Sequence, residues 1–273
     1  MKIVTWNINS VRLRAPFVAK FLTEVQPDIL ALQETKTPDA NFPTKAFEAI
    51  GYTHQHFQGM KGYNGVAILS RHPFEETHIH HRVGKEDCRH IQVSLKTDRF
   101  KQPIHIHTLY IPAGGDEPDP QVNEKYKHKL DFLEEMTDWF GKNHVQDEAV
   151  ITLGDFNIAP HEHDVWSHKQ LRNVVSHTEP EITRMQAMLE SLDWVDTGRH
   201  FVPMEEKLYT WWSYRNRDWK KSNRGRRLDH IWVTQPLKEH LKSHEVFPNW
   251  RDGFPDEDMK PSDHVPVMIE LGQ

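Results

Sequence analysis

The chain has one cysteine, Cys88, among its 273 residues, and a single thiol excludes an internal disulfide bond. It also lacks any apolar run that approaches the ~20 residues of a membrane-spanning helix. The opening residues, MKIVTWNI, have the pattern of a strand, and no signal-peptide pattern accompanies them. Because chains so poor in cysteine are typical of reducing compartments, we expect a cytoplasmic protein with no membrane partner.

An excess of positive charge is also missing, since the net charge is −6. The distribution is uneven, however: the window 215–227 carries +6, which leaves −12 for the rest of the chain. Cations interleaved with aromatic rings are typical of nucleic-acid surfaces, although a solvated charge run is the common alternative. The basic residues of the window are Arg215, Arg217, Lys220, Lys221, Arg224, Arg226 and Arg227, and the rings beside them are Trp211, Trp212, Tyr214 and Trp219.

Short β-branched or aromatic runs bounded by turn residues predict strands over ten segments. These are 3–8, 28–32, 52–57, 65–70, 91–95, 104–111, 150–153, 209–214, 228–233 and 265–271. Helical periodicity predicts helices over 16–25, 121–140 and 179–192. Consecutive strands with isolated helices favour a four-layered α/β sandwich, in which two mostly antiparallel sheets pack face to face and are flanked by helices. We expect one domain over residues 1–273.

Polar signatures stand beside several of the predicted strands, where each strand would begin or end. Catalytic groups gather at such positions because a rigid sheet holds their side chains in place. Carboxylates, amides, a phenol and an imidazole, without a thiol, suit a hard divalent cation and a phosphate ester. The candidate residues are Asn7, Glu34, Tyr110, Asp155, Asn157, Asp229, Asp263 and His264.

Two of these signatures follow apolar runs directly. Asp155 and Asn157 come after AVITLG, and the two-residue period of a strand puts them on one side, with Phe156 toward the core. An Asx turn is an equal alternative for this pair in isolation. Glu34 follows DILALQ and, with Asn7, could anchor Mg²⁺, which takes one or two protein carboxylates and keeps several waters. A surface salt bridge is the alternative for Glu34.

The pair Asp263-His264 opens the last predicted strand. A carboxylate partner would hold the imidazole in one tautomer and support its protonated form, and Asp229 is the candidate for that partner. A cap or a surface loop is the alternative for an isolated Asp-His pair. Three His-x-His pairs occur at 78 and 80, 105 and 107, and 161 and 163. Without cysteines or a third ligand at metal spacing, we interpret them as exposed His-rich strand faces and not as a zinc site.

Taken in order, the motifs resemble those of the exonuclease III family of bacterial apurinic/apyrimidinic endonucleases, within the wider endonuclease/exonuclease/phosphatase superfamily. They are NIN, LQETK, GYNGVAILS, LYIPAGG, GDFNIAP, WWSYR, NRGRRLDHI and PSDH, and they span residues 3–270. The resemblance implies a DNA-repair phosphodiesterase that hydrolyses DNA 3′→5′ from duplex ends and incises 5′ to abasic sites. The products would carry a 3′-hydroxyl and a 5′-phosphate. The implied cofactor is Mg²⁺, with Mn²⁺ as a substitute, and the implied partner is double-stranded DNA, bound by a monomer.

The resemblance also implies roles for the candidate residues. Tyr110 would contact the scissile phosphate, Asn157 would hold it, and His264, oriented by Asp229, would stabilise or protonate it. Asp155 would orient or deprotonate the attacking water, or protonate the leaving group. Whether Asp155 or His264 is the general base stays open. The implied metal site is formed by Asn7, Glu34, Asp155, Asn157, Asp263 and His264.

In this family an apolar pocket accepts the base-less sugar, which turns out of the helix at an energetic cost. Trp211 and Leu228 match pocket positions, but Arg226 stands where other members have a bulky apolar residue. Arg226 would either make the pocket less apolar or turn outward to hold a phosphate, with Trp212 or Trp211 filling the gap. The DNA-binding candidates are Trp211, Trp212, Arg215, Arg224, Arg226, Arg227 and Leu228.

Two other functions compete with this one. The first is a phosphatase of the same superfamily that acts on inositol or lipid phosphates, which the basic and aromatic window argues against. The second is a DNA-binding scaffold without catalysis, which the complete set of catalytic-type residues argues against.

Overall fold

The computed structural model describes residues 1–96, 100, 102–216, 218–253 and 259–272, so Arg217 of the basic window lies outside the described residues. The strands of the described chain are β1 (Lys2–Asn7), β2 (Ile29–Gln33), β3 (His54–Gln58), β4 (Val66–Ser70), β5 (Glu76–Arg82), β6 (Lys85–Leu95), β7 (Ile104–Tyr110), β8 (Ala149–Asp155), β9 (Val195–Asp196), β10 (Trp211–Trp212), β11 (Gly225–Arg226), β12 (Asp229–Val233), β13 (Leu241–Val246) and β14 (Val267–Leu271). The helices are α1 (Val11–Val25), α2 (Thr44–Glu48), α3 (Glu124–Asn143), α4 (His168–Leu171), α5 (Glu179–Glu190), α6 (Thr197–Phe201), α7 (Trp219–Ser222) and α8 (Gln235–Lys238). Short 3-10 turns cover Asp39–Asn41, Glu162–Asp164 and Pro248–Arg251.

The strands form two six-stranded sheets. The first has the order β13-β14-β1-β2-β4-β3 and the second the order β5-β6-β7-β8-β12-β9, and β10 and β11 form a separate ribbon. Within the two sheets β1 pairs with β2 and β7 pairs with β8 in parallel, and the other described neighbours are antiparallel. The predicted predominance of antiparallel pairing is therefore confirmed.

The two sheets share one core, because alternate strand residues point to opposite faces. Ile3 of the first sheet and Ile106 of the second are fully buried in this common core. On the outer face of the first sheet Trp6 packs against Phe21 of α1, with ring centroids 5.4 Å apart. On the outer face of the second sheet Phe132 of α3 is fully buried. Helix, sheet, sheet and helix make four layers, and the predicted sandwich is confirmed.

The short elements β9, β11, α2, α4, α6, α7 and α8 were not predicted, and three larger differences have a physical reason. Helix α1 begins at Val11 and not at Pro16, and Arg14 has non-helical angles (φ −116°, ψ 15°), since proline restricts the turn that precedes it. Strands β5 and β13 were not predicted, and each lies at a sheet edge. Edge strands carry many polar and charged residues, here ETHIHHR and LKSHEV, so no apolar run marks them. Among the described helices, none combines the length and the apolarity needed to cross a bilayer.

Candidate active site

Strand pairing brings the polar signatures together at one edge of the sandwich. Asn7 ends β1 opposite Gln33 of the parallel strand β2, so that the next residue, Glu34, emerges beside it. In the second sheet Asp155, at the end of β8, lies opposite Tyr110 on one side and Asp229 on the other. The carboxyl ends of the parallel strands therefore meet where the two sheets face each other.

The backbone at this edge adopts conformations that aim the side chains. Glu34 and Asn157 have φ angles of 52° and 53°, and such left-handed residues cost on the order of 1 kcal/mol or more each. Local hydrogen bonds offset that cost: Asn157 N donates to Asp155 Oδ1 at 2.9 Å. Gly154 has a φ of 146°, and a Cβ at this position would collide with the Leu109 carbonyl oxygen of β7. Glycine is therefore required where β8 passes closest to its neighbour.

Glu34 is the centre of a first hydrogen-bonded group. Its Oε1 accepts from Asn7 Nδ2 at 2.9 Å and from the Tyr110 hydroxyl at 2.9 Å, and Lys36 Nζ lies 2.6 Å from its Oε2. Burial by itself would raise the pKa of Glu34, but Lys36 and the Asn7 amide outweigh burial and lower it. Burial and the Glu34 charge raise the pKa of Tyr110 well above its ordinary value. The group thus pairs an ionised carboxylate with a neutral phenol.

Asp155, Asp229 and His264 form a second group. His264 Nδ1 lies 2.8 Å from Asp229 Oδ2, which also accepts from Thr210 Oγ1 at 2.6 Å. His264 Nε2 lies 3.7 Å from Asp155 Oδ2. Burial by itself would lower the pKa of His264, but Asp229 and Asp155 outweigh burial and raise it to about 10. Burial raises the pKa of Asp155 to about 7, although His264 opposes the shift. At neutral pH an imidazolium therefore faces a carboxylate that is poised to take up a proton.

Asn7 connects the two groups, because its Nδ2 also donates to Asp155 Oδ2 at 2.8 Å. Asn157 Nδ2 donates to the same oxygen at 3.2 Å. Asp263 stands beside them and accepts from Asn9 Nδ2 at 3.1 Å and from Trp211 Nε1 at 3.0 Å. Burial would raise the pKa of Asp263, but His264 and the Trp211 bond outweigh burial and lower it. The eight candidate residues therefore lie in one connected cluster.

The DNA-binding candidates divide between the cluster's groove and the interior. A groove of about 890 Å³ opens beside Glu34 and His264. The candidates that line it are Trp211, Arg215, Arg224, Arg226 and Leu228.

Arg227 and Trp212 do not line this groove. Arg227 is 1% exposed, and its guanidinium lies 2.9 Å from Asp164 and 2.8 Å from Asp196. A DNA contact would require it to leave two buried carboxylates unpaired, so the structure contradicts that expectation. Trp212 is 5% exposed and packs against Trp219, with ring centroids 4.9 Å apart. Trp166, which lines the groove, packs against the apolar cluster that contains Trp212, so the Trp212 ring supports the groove wall from the protein interior.

Several residues that complete the cluster were not singled out from the sequence. Lys36 and Asn9 stand inside the motifs LQETK and NIN, which is the signal that could have found them. Lys129 has no such signal. It is a fully buried lysine of α3 that forms an ion pair with Glu181 and donates to the Asn157 carbonyl oxygen at 2.8 Å. Through these two contacts Lys129 fixes the turn that carries Asn157.

The donor set of the cluster fits a metal ion. Three of its residues offer ligand atoms within 4.8 Å of one another: Asp155, Asp229 and His264. However, a protonated imidazole has no lone pair for a metal, which favours the carboxylate and amide oxygens as ligands. Lys36 Nζ lies 2.6 Å from Glu34 Oε2 and 2.7 Å from Asn9 Oδ1. These hard oxygens suit a divalent ion, which would have to displace the Lys36 ammonium from Glu34.

A second group of possible metal ligands consists of three histidines, His80, His90 and His107, and it lies on the outer face of the second sheet. Arg82 Nε donates to His90 Nδ1 at 3.0 Å, so His90 Nε2 carries the ring proton and faces His107 Nδ1 at 3.0 Å. A protonated nitrogen cannot ligate a metal. His107 is fully buried, so the interpretation as an exposed His-rich face is wrong for this residue.

Comparison with known proteins identifies the class. The sequence profile of the Endonuclease/Exonuclease/phosphatase family matches residues 4–264. The protein belongs to this family. The match spans every candidate residue from Asn7 to His264.

Particular relatives extend over the whole chain. Exodeoxyribonuclease III of Haemophilus influenzae is 28% identical over 279 residues, which cover 99% of this chain and 100% of that protein. Among solved structures, an AP endonuclease from Archaeoglobus fulgidus is similar with a TM-score of 0.90 and 33% identity over 99% of both chains. A 3′-5′ exonuclease from Neisseria meningitidis is similar with a TM-score of 0.89 and 30% identity over 100% of both chains.

Proposed function

We propose that this protein is a metal-dependent DNA-repair nuclease that cleaves phosphodiester bonds 5′ to abasic sites and removes nucleotides 3′→5′ from duplex ends. One observation carries the proposal: a carboxylate with a pKa of about 7, Asp155, lies 3.7 Å from the protonated ring of His264, beside a groove lined by arginines. The names of the relatives, an exodeoxyribonuclease, an AP endonuclease and a 3′-5′ exonuclease, support the substrate class.

In this proposal Asp155 is the general base. Its pKa of about 7 lies near neutral pH, and a general base is most effective when its pKa is close to the pH at which it works. Asn7 and Asn157 donate to its Oδ2 and fix its orientation. Asp155 removes the proton from an attacking water, whose oxygen bonds to phosphorus as the bond to the 3′-oxygen breaks, and the departing 3′-oxygen takes up a proton from bulk water. The products are a 3′-hydroxyl and a 5′-phosphate.

His264 stabilises the reacting phosphate. Its pKa of about 10 keeps it cationic, so that it can donate to an oxygen on which negative charge grows. Asp229 holds Nδ1 and leaves Nε2 to face the substrate. Tyr110, kept neutral, and the Asn157 amide now donate to Glu34 and Asp155, and on substrate binding they would turn these hydrogens toward the same phosphate. This division assigns proton removal to Asp155 and charge stabilisation to His264.

We propose Mg²⁺ as the cofactor, with Mn²⁺ as a substitute, held by Glu34 together with Asn7 and Asp263. When bound, the ion supplies charge neutralisation at the phosphate. The hard oxygen donors around Glu34 support this assignment, and the ammonium of Lys36 would have to move aside to admit the ion. We further propose that the chain acts as one domain and as a monomer, and that it works in the cytoplasm, which its single cysteine supports.

The test is a duplex oligonucleotide with one abasic analogue, incubated with Mg²⁺ or with a chelator. We expect a nick 5′ to the lesion with Mg²⁺ and none with the chelator. Binding without cleavage under both conditions would favour a scaffold, and cleavage of phosphoinositides alone would favour a phosphatase. A matched control is the exposed Asp138→Asn variant on α3, which should nick at the wild-type rate.

A further inference from the structure

The groove beside the hydrolytic cluster has an apolar wall, and two guanidinium groups lie against it, Arg224 over the Trp166 ring and Arg226 over the Trp211 ring. Trp166, Leu171, Trp211 and Leu228 belong to one apolar cluster on this wall. Arg226 of β11 projects among them, with its guanidinium 5.5 Å from the centre of the Trp211 ring. A guanidinium in an otherwise apolar wall is costly unless it is paired, so its partners decide its role.

The partners of Arg226 are neutral. Its Nη1 donates to Ser176 Oγ at 2.6 Å and to the Val175 carbonyl oxygen at 3.2 Å. Among the described residues, no carboxylate forms an ion pair with it, and its Nε has no hydrogen-bond partner. The nearest buried acid in its surroundings, Glu181, is already engaged in an ion pair with Lys129. The guanidinium is thus anchored by neutral groups while its charge remains uncompensated.

The neighbouring Arg227 makes the contrast plain. Its guanidinium is taken up by Asp164 and Asp196 in the interior. Arg226 ends β11 and Arg227 follows it directly, and of the two only the one that faces the groove lacks a carboxylate. A fixed cation that lines an open groove without a carboxylate partner suits an anion that arrives with the substrate, because charge-assisted hydrogen bonds are the strongest kind.

The position of Arg226 indicates which anion. Trp211 separates it from the cluster: the indole packs beneath the guanidinium on one side, and its Nε1 donates to Asp263 on the other. The Trp211 and His264 ring centroids are 6.5 Å apart. A phosphate held by Arg226 would therefore lie across the Trp211 ring from a phosphate at His264 and Asp155.

We infer that Arg226 is a specificity residue, which binds a second DNA phosphate on the 3′ side of the scissile bond. This inference rests on the proposed function. The shared chemistry is a phosphate group, and its source is either an internal phosphodiester or a terminal 3′-phosphate. Substrates that present such a group are favoured over an end that carries only a 3′-hydroxyl.

The experiment compares wild type with Arg226→Leu on three duplexes: an internal abasic analogue, a 3′-phosphate end and a 3′-hydroxyl end. We expect kcat/KM to fall about 10- to 100-fold on the substrates with the second phosphate, as loss of a hydrogen bond to a charged group implies. The fall on the 3′-hydroxyl end should be less than about threefold, within the ordinary context spread of single contacts. If kcat/KM falls only on the 3′-phosphate end, Arg226 binds a terminal phosphate. If kcat/KM falls on both the 3′-phosphate end and the internal abasic analogue, Arg226 accepts an internal phosphodiester as well as a terminal phosphate.

Two controls separate the inference from a structural effect. Arg226→Lys keeps the charge and should recover part of the loss. Arg71→Leu removes an exposed arginine after β4, at the opposite end of the strands from the cluster, and should leave all three rates unchanged. Equal loss on all three substrates in Arg226→Leu, or no loss on any, would overturn the inference.

A binding measurement distinguishes this inference from the proposed function. DNA affinity is measured against salt concentration in chelator, where no hydrolysis is expected. Each lost phosphate contact should reduce the slope of log affinity against log salt by about 0.9. An unchanged slope in Arg226→Leu refutes the phosphate contact, whereas wild-type protein that binds but never cleaves refutes the proposed nuclease.

Discussion

The hydrogen bond between Asp229 and His264 allows one quantitative prediction. Asp229 is the main group that holds the pKa of His264 at about 10 against the effect of burial. Replacing Asp229 with asparagine keeps the shape of the side chain but removes its charge. The pKa of His264 should then fall toward, and at the limit reach, its ordinary value of about 6.5. The raised pKa keeps the wild-type ring protonated up to high pH, and the variant loses this protonation as pH rises past neutrality.

The magnitude follows from the two pKa values. At pH 8 the wild-type imidazole is almost wholly protonated, since its pKa is about 10. With a pKa of about 6.5, only about 3% of the rings would be protonated at that pH, against about three quarters at pH 6. If the cation stabilises the phosphate, Asp229→Asn should lose up to about 30-fold at pH 8 and less than about twofold at pH 6 from this cause.

The assay is single-turnover nicking of the abasic duplex with Mg²⁺ between pH 5.5 and 9, with each variant rate divided by the wild-type rate at the same pH. The ratio should fall steadily toward alkaline pH. Thr210→Val removes the other donor to Asp229 without removing charge, and its ratio should stay flat. A flat ratio for Asp229→Asn as well would refute the assignment of His264 as a cation held by Asp229.

Three further predictions concern other parts of the molecule. Asp155→Asn should reduce turnover by at least about 100-fold while DNA affinity, measured by fluorescence anisotropy, persists; near-normal turnover would remove Asp155 as the base. Glu34→Gln should raise the Mg²⁺ concentration for half-maximal activity at least about tenfold, which a metal titration checks, and an unchanged midpoint would place the ion elsewhere. Burial would raise the pKa of Asp196, but Arg227 outweighs burial and lowers it to about 2. The stability from this pair is therefore present above the unfolded pKa of about 3.9 and lost as pH falls toward 2, and Arg227→Leu should lower the urea unfolding free energy at pH 7 by about 3–5 kcal/mol. A loss below about 1 kcal/mol would show that the ion pairs are not a structural anchor.

Much of the fold could be predicted because each buried strand carries its own apolar signature. Strand β8, AVITLGD, is buried along its whole length, and its neighbours in the core have the same character. The edge strands β5 and β13 were not predicted, because one side of an edge strand faces solvent and such strands carry polar residues. Helix α1 could be placed but not its start, because the kink at Arg14 lets the helix continue across Pro16.

The residues of the site were marked in the sequence by their position at strand ends, but their relations were not. Tyr110, Asp155 and Asp229 are far apart along the chain, and only the register of β7, β8 and β12 sets them side by side. The pKa values of about 7 for Asp155 and about 10 for His264 arise from burial and from distances of a few ångströms. No local pattern encodes such distances.

The amino-acid sequence specifies which residues are available: apolar runs for two sheets, acids and amides where strands end, and a basic segment with aromatic rings. Only the folded arrangement determines which of these residues can reach a substrate. Arg226 and Arg227 are identical in chemistry and adjacent in the chain, yet one faces the groove and the other is buried between two carboxylates. Arg226 ends β11 beside the groove, whereas Arg227 lies just past the strand and reaches Asp164 and Asp196. The packing of the β10–β11 ribbon against the sandwich therefore sets which of the two can meet the substrate.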